Sequence, residues 1–260
     1  MSKKIILVGD GWGFHAVKDG AKGLLFGCIE DSTVKLENLD ADILLFAGYK
    51  PIIPIGILKK FLCLNIHYSL LPKYRGFHPV AWGILNGDTT FGYTIHVMNE
   101  RIDDGPIVHQ EEITCTNEET MTQIMERLNA RVSASIGVVI GEMNQSTIEF
   151  LVNDSNQATW FPKRDAKDNI LSSNYSCEYF SRLKRILVGH YPSPIIRFNG
   201  VDYSVVNWDI EFSQIERINS YGKIVESYNE GIRIAVNGGY LLIRETKPDL
   251  PKLKNGVTLL

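Results

Sequence analysis

Short apolar runs punctuate the first half of the chain. Ile5–Val8, Leu24–Ile29, Ile43–Ala47, Leu62–His67, Tyr93–Met98 and Ile107–Ile113 are continuous rather than alternating. That is the pattern of strands covered on both faces. Helical patterns fit between them at residues 14–22, 54–61 and 79–86. Thr116-Asn117-Glu118-Glu119 then reads as a capping box, with Thr116 as N-cap. Behind it Met121, Ile124, Met125, Leu128, Val132, Ser135, Ile136 and Val139 recur at helical spacing. Strand–helix alternation predicts an α/β fold with an open, mostly parallel sheet.

Past about residue 145 the pattern changes. Residues 146–175 are polar and turn-rich apart from Trp160-Phe161-Pro162, and a short helix fits 176–188. Asn199-Gly200, Asn229-Glu230-Gly231 and Asn237-Gly238-Gly239 then separate apolar runs, as hairpin turns do. The expected organisation is an α/β domain over 1–150, a linker with a short helix over 151–190, and a small antiparallel β-hairpin domain over 191–260.

Composition excludes little beyond the extremes. Of 260 residues, 44% are hydrophobic and 22% charged, which rules out a disordered, collagen-like or coiled-coil chain. Thirty acids against 27 bases leave a net charge of -3, without the basic excess of a nucleic-acid grip, so no nucleic-acid partner is expected. Cys28, Cys63, Cys115 and Cys177 lack zinc-like spacing and are expected to be buried or inert thiols in a reducing compartment. No run approaches the ~18 apolar residues of a bilayer span, and the first apolar run is too short for a signal peptide. The expectation is a cytoplasmic protein with no membrane partner and no metal.

Candidate chemistry collects at the end of the fourth strand. Asn65 and His67 are two positions apart, so they share a strand face. Sites in open α/β sheets lie at such carboxyl ends. Arg101-Ile102-Asp103-Asp104-Gly105-Pro106 follows the fifth strand and is expected to approach from a neighbouring strand end. Histidine can take a proton from an attacking amine, an Asn amide can donate to an oxyanion, and a carboxylate can orient the imidazole. A hydrogen-bonded strand-end histidine beside a turn aspartate is the plainer alternative.

Gly9-Asp10-Gly11-Trp12-Gly13 follows the first strand and opens a helix. Phe14 stands where a dinucleotide fingerprint needs its last glycine, but a Gly-rich turn at a helix start still suits an anion. Trp12 offers a ring for stacking; a tight turn with one packed Trp is the competing view. Arg75, His78 and Trp82 are candidates for an acceptor side, against a solvated arginine and a helix packing face. His15, His96, His109 and His190 stand alone and are expected to be structural.

The segment Asn65-x-His67-x-Ser69-Leu70-Leu71-Pro72-x-x-x-Gly76 resembles the signature loop of folate-dependent formyltransferases. So do Gly92-Tyr93-Thr94-Ile95-His96 with Ile102-Asp103-Asp104-Gly105-Pro106-Ile107, and Ala47 to Pro54. The resemblance covers about residues 1–145. It implies a Rossmann-like formyltransferase fold and the donor N10-formyltetrahydrofolate. It also implies an Asn65, His67 and Asp103 catalytic set, and a pterin pocket from Pro51, Ile52, Ile53, Arg101 and Ile102. For the acceptor it points to Gly11, Trp12 and Gly13 beside Arg75 and His78.

The family includes glycinamide ribonucleotide, methionyl-tRNA and nucleotide-sugar amine formyltransferases. Over a hundred residues follow the long helix, more than the first type is expected to carry. Trp160-Phe161-Pro162-Lys163-Arg164-Asp165-x-x-Asp168-x-Ile170, then Leu183 to Leu187 and Tyr191-Pro192-Ser193-Pro194, resemble the tail of nucleotide-sugar enzymes. Leu171-Ser172 departs from the Asp-Trp pair of larger relatives. The expected acceptor is thus a nucleotide-linked amino-dideoxy sugar, in first place dTDP-4-amino-4,6-dideoxyglucose for O-antigen polysaccharide. Methionyl-tRNA and phosphoribosylglycinamide are the alternatives, and a non-catalytic folate- or sugar-nucleotide-binding module is a third class. A homodimer is expected from the exposed β tail.

Overall fold

The computed structural model describes residues 2–31, 33–187, 192–214, 220–228 and 231–260. Val188, His190, Tyr191, Asn229 and Glu230, which the sequence reading used, lie outside them. The chain divides into two compact units, residues 1–163 without 120–122, and residues 164–260 with 120–122.

The first unit is built on a six-stranded sheet. Strand β1 (Ile5–Gly9) leads into helix α1 (Gly11–Gly20), followed by β2 (Gly27–Ile29) and β3 (Ile43–Ala47). Helix α2 (Ile55–Lys60) precedes β4 (Leu62–His67), and a two-residue strand β5 (Arg75–Gly76) precedes α3 (Pro79–Asn86). Strands β6 (Thr90–Val97) and β7 (Ile107–Thr114) precede the long helix α4 (Met121–Gln145). The sheet order is β2-β1-β3-β4-β6-β7. β1, β2, β3 and β4 pair parallel, whereas β6 pairs antiparallel with both β4 and β7. Every residue of β1 and β3 is buried, as their unbroken apolar runs require of strands covered on both faces.

Helix α4 buries Ile124, Leu128, Val132, Ile136, Val139, Ile140 and Met143 along one stripe, the amphipathic arrangement that its spacing predicts. It starts five residues after Thr116. The Thr116 N–H does donate to Glu119 Oε2 at 2.6 Å, so the expected capping box closes a turn ahead of the helix instead of capping it. The second strand also departs from expectation. β2 covers only Gly27–Ile29, because its pairing with β1 runs from Ile6 to Val8. Leu24 and Phe26 are exposed. Cys28, on the same edge strand, is exposed as well, unlike the buried Cys63, Cys115 and Cys177.

A two-stranded parallel ribbon has no counterpart in the sequence pattern. Strand β8 (Trp160–Phe161) pairs with β5 through Arg75–Trp160 and Gly76–Phe161. Phe161 stacks on Tyr74 with ring centroids 4.9 Å apart and leans on Trp82 at 5.3 Å. Two residues give no period to read, so only long-range packing identifies this element.

The second unit holds α5 (Cys177–Leu187) and a five-stranded antiparallel sheet. Its strands are β9 (Ile195–Phe198), β10 (Val201–Phe212), β11 (Ile224–Tyr228), β12 (Gly231–Val236) and β13 (Gly239–Lys247). Their order is β11-β12-β13-β10-β9. Asn199 and Gly200 form the two-residue β9–β10 turn, both with positive φ, +50° and +80°, as a type I′ hairpin needs. Within β10 the register shifts around Asn207, so burial passes from Tyr203 and Val205 to Trp208. No described helix is long and apolar enough to cross a membrane.

Candidate active site

Strand β4 delivers two side chains to one place. It pairs with β6 so that Asn65 lies opposite His96 and His67 opposite Thr94. The Asn65 amide nitrogen approaches His96 Nε2 at 3.3 Å. Asp103 enters from the loop after β6, with φ +52°. Its Oδ2 stands 3.5 Å from His67 Nδ1, and its Oδ1 stands 3.4 Å from His96 Nε2. Asp103 Oδ2 also accepts the Gly76 N–H at 2.9 Å. The loop after β4 therefore turns back onto the carboxylate that faces His67.

His67 Nε2 lies 2.8 Å from the Tyr74 carbonyl. A carbonyl only accepts, so Nε2 carries a proton and donates it. In the neutral ring the free lone pair is then on Nδ1, toward Asp103. Burial pushes the His67 imidazole below its ordinary value, opposed by the Asp103 carboxylate and the Tyr74 carbonyl. For Asp103, burial raises the carboxyl, yet His67, His96 and the Gly76 N–H together hold it below the usual carboxylate range. Both side chains are more than nine-tenths buried.

These groups open onto a cavity of about 570 Å³, within the size range of small-molecule sites. Asn65, His67, Asp103 and His96 line it, together with Pro51, Ile52, Ile53, Arg101 and Ile102. All eight residues expected for the reacting centre and the pterin pocket thus share one cleft. Ile52 is 88% exposed and Ile102 51%. A core role for Ile52 is thereby excluded, whereas Ile53 is buried at 7%.

The expected acceptor residues fare differently. Arg75 is 1% exposed. Its Nη1 pairs with Asp104 Oδ1 at 2.5 Å, and its Nη2 donates to Asn153 Oδ1 at 2.6 Å. It clamps two loops of the protein together and offers no open face to a ligand. Gly13 is buried because Tyr68 packs against it; a Cβ there would lie 2.6 Å from the Tyr68 hydroxyl. Gly11 starts α1 with φ +71°, and Trp12 is 44% exposed. His78 precedes α3 with φ +55°. None of Gly11, Trp12, Gly13, Arg75 and His78 lines the cavity that Asn65, His67 and Asp103 share.

His96, expected to stand alone, instead meets both Asn65 and Asp103. The signal was its place in Gly92-Tyr93-Thr94-Ile95-His96, which needed the β4–β6 register to become a contact. Asn153, which no sequence motif marks, also joins the site; its Nδ2 donates to the carbonyls of Asp103 and Gly105 at 2.9 and 3.0 Å. His15 and His109 do sit apart from the cluster, beside Glu30 and Glu111.

Comparison with known proteins agrees with this geometry at the level of the family. The formyl transferase family profile matches residues 29–138. A methionyl-tRNA formyltransferase of Buchnera aphidicola subsp. Acyrthosiphon pisum is 32% identical over 217 residues, covering 81% of this chain and 67% of that one. The chain belongs to the formyl transferase family. Among solved structures, Aquifex aeolicus HypX in complex with tetrahydrofolic acid superposes with a TM-score of 0.70 at 14% identity. That match covers 95% of this chain and 44% of HypX, so the chain spans less than half of HypX. A Helicobacter canadensis N-formyltransferase, in complex with folinic acid and dTDP-3-aminofucose, superposes with a TM-score of 0.67 at 16% identity. It is covered in full, with 95% of this chain.

The expected nucleotide-sugar acceptor is overturned by these relatives. Methionyl-tRNA formyltransferases match at 27–32% identity over 81–89% of the chain. The sugar enzyme is similar at an identity that speaks for the fold alone. The tail segments used for the sugar reading, such as Trp160-Phe161-Pro162, belong to packing: Trp82 Nε1 donates to the Pro162 carbonyl at 3.0 Å. The expectation of no nucleic-acid partner loses its ground with the sugar acceptor, since net charge reports on bulk balance and not on a local surface.

Proposed function

We propose that this protein transfers a formyl group from N10-formyltetrahydrofolate to the α-amino group of methionyl-tRNA. The observation that carries the reading is the 32% identity to a methionyl-tRNA formyltransferase over 81% of the chain. The cleft beside Asn65, His67 and Asp103 fits the donor. Apolar Ile52, Ile53 and Ile102 suit a flat heterocycle, and the backbone around Pro51 and Arg101 can pair with ring polar groups. N10-formyltetrahydrofolate supplies a formyl carbon that an amine can attack.

This chain's residues then divide the work. The Asn65 amide donates to the oxygen that gains charge during attack. His67 takes at Nδ1 the proton that the attacking amine must lose, and the Asp103 carboxylate facing Nδ1 stabilises the imidazolium that forms. The same proton returns to the nitrogen that departs, so the transfer needs no outside acid. Because His67 Nε2 is committed to Tyr74, the route runs by way of Nδ1 and Asp103, with His96 beside them.

The test is a comparison of acceptors. The purified protein with N10-formyltetrahydrofolate should release tetrahydrofolate in the presence of methionyl-tRNA and not of glycinamide ribonucleotide. Release driven by glycinamide ribonucleotide alone would refute the acceptor while leaving formyl transfer standing.

A further inference from the structure

One amide, that of Asn153, binds the backbone of the strained loop that carries Asp103 at two carbonyls. Asp103 has φ +52°, a backbone region that a non-glycine residue seldom adopts without support. The support comes from the segment that follows α4. Leu151 exchanges two backbone hydrogen bonds with Ile107, at 2.9 and 2.8 Å. That pairing brings Asn153, 8% exposed, beneath the loop. Asn153 Nδ2 donates to the carbonyls on either side of Asp104, those of Asp103 and Gly105, at 2.9 and 3.0 Å. Its Oδ1 accepts from Arg75 Nη2 at 2.6 Å, and the same guanidinium pairs with Asp104.

Only a carboxamide provides two donors and an acceptor from one short side chain. A carboxylate here would face two carbonyls, and an apolar isostere would leave those carbonyls and Arg75 without this partner. Arg75 precedes Gly76, whose N–H binds Asp103 Oδ2. Asn153 therefore touches the Asp103 backbone directly and the loop that grips the Asp103 carboxylate through Arg75. We infer that Asn153 is a positioning residue that sets the Asp103 carboxylate against His67. The inference rests on the proposed formyl transfer only for its kinetic readout.

The charged and titratable groups facing His67 are Asp103 and His96. If Asn153 sets Asp103, its loss should act on His67 as loss of the carboxylate does. The experiment follows the His67 imidazole by NMR titration in wild type, Asn153→Ala, Asp103→Asn and the double variant, and measures formyl transfer in each. Asn153→Ala is expected to lower the His67 midpoint, in the direction that Asp103→Asn lowers it. It should also reduce kcat by ~10-fold or more, up to the ~100-fold that a ~1 Å misplacement of a catalytic group can cost, with the donor KM nearly unchanged. In the double variant the two effects should not add, because they remove one interaction. Full additivity, or a His67 titration in Asn153→Ala that matches wild type, would overturn the inference. Should Asn153→Ala fail to fold, Asn153→Gln keeps the amide but displaces it by a methylene. It must then move the His67 midpoint downward, and a wild-type midpoint overturns the inference equally. The titration needs no turnover, so an inactive wild type would refute the proposed function and leave this result readable.

Discussion

His67 Nδ1 faces Asp103 Oδ2 across 3.5 Å while the opposite ring nitrogen, Nε2, is bound to the Tyr74 carbonyl at 2.8 Å. The imidazole is therefore anchored at Nε2, and a proton taken up at Nδ1 lies against the Asp103 carboxylate. A ring held this way can exchange a proton on one side only. Loss of either partner should then cost the full acid–base contribution.

His67→Asn and Asp103→Asn are each expected to keep the fold and lower kcat by ~100-fold or more, the usual scale of general acid–base assistance. Circular dichroism establishes the fold and a formyl-transfer assay the rate. Near-normal turnover in a folded variant would remove that residue from the mechanism.

The acid limb of activity follows from the same pair. The His67 value is pushed below 6.5, with burial as the largest cause. A group depressed in the folded state favours its deprotonated form, so the active form should persist below pH 6.5 and disappear as pH falls through the lower folded value. Asp103 raises His67, so Asp103→Asn should move the residual activity's acid midpoint further down. A midpoint that rises in this variant would contradict the electrostatic account.

The buried Arg75–Asp104 pair is structural, so Arg75→Met should act on stability. Removing one partner of a buried pair leaves the other uncompensated and costs about 3–5 kcal/mol. Ser155, whose hydroxyl also donates to Asp104 at 2.5 Å, tempers the loss. Urea unfolding should report a fall of a few kcal/mol, toward the lower end of that range. An unchanged midpoint would mean that Asp104 is satisfied without the arginine.

Gly76 joins fold to site. It has φ +97°, and a Cβ would lie 2.4 Å from the Phe161 carbonyl. Gly76→Ala is expected to break the β5–β8 pairing and draw its N–H from Asp103. Stability and kcat should fall together; a fall in stability with full kcat would detach this N–H from the function.

Much of the fold was legible because its apolar runs are long. Ile5–Val8, Ile43–Ala47 and Leu62–His67 carry enough β-branched and apolar residues to define buried strands. The Asn65 and His67 pair shows in the period of two. What stayed hidden depends on distant pairing. His96 reaches Asn65 only through the β4–β6 register. Trp160–Phe161 is a strand only because Arg75–Gly76 lies beside it. Arg75 looked like a ligand-binding cation because a sequence shows its charge but not the Asp104 and Asn153 that enclose it. The acceptor was misread for a related reason: the tail segments chosen to identify it serve packing, as the Trp82–Pro162 hydrogen bond shows.

The identity of the product tests formyl transfer to methionyl-tRNA directly. Methionyl-tRNA is incubated with N10-formyltetrahydrofolate and the protein, and the aminoacyl group is then released and weighed by mass spectrometry. The expected result is methionine heavier by one formyl group on its α-nitrogen, formed by the wild type and at a rate lower by ~100-fold or more in Asp103→Asn. Unmodified methionine after prolonged incubation with folded wild-type protein and intact donor would contradict formyl transfer to methionyl-tRNA.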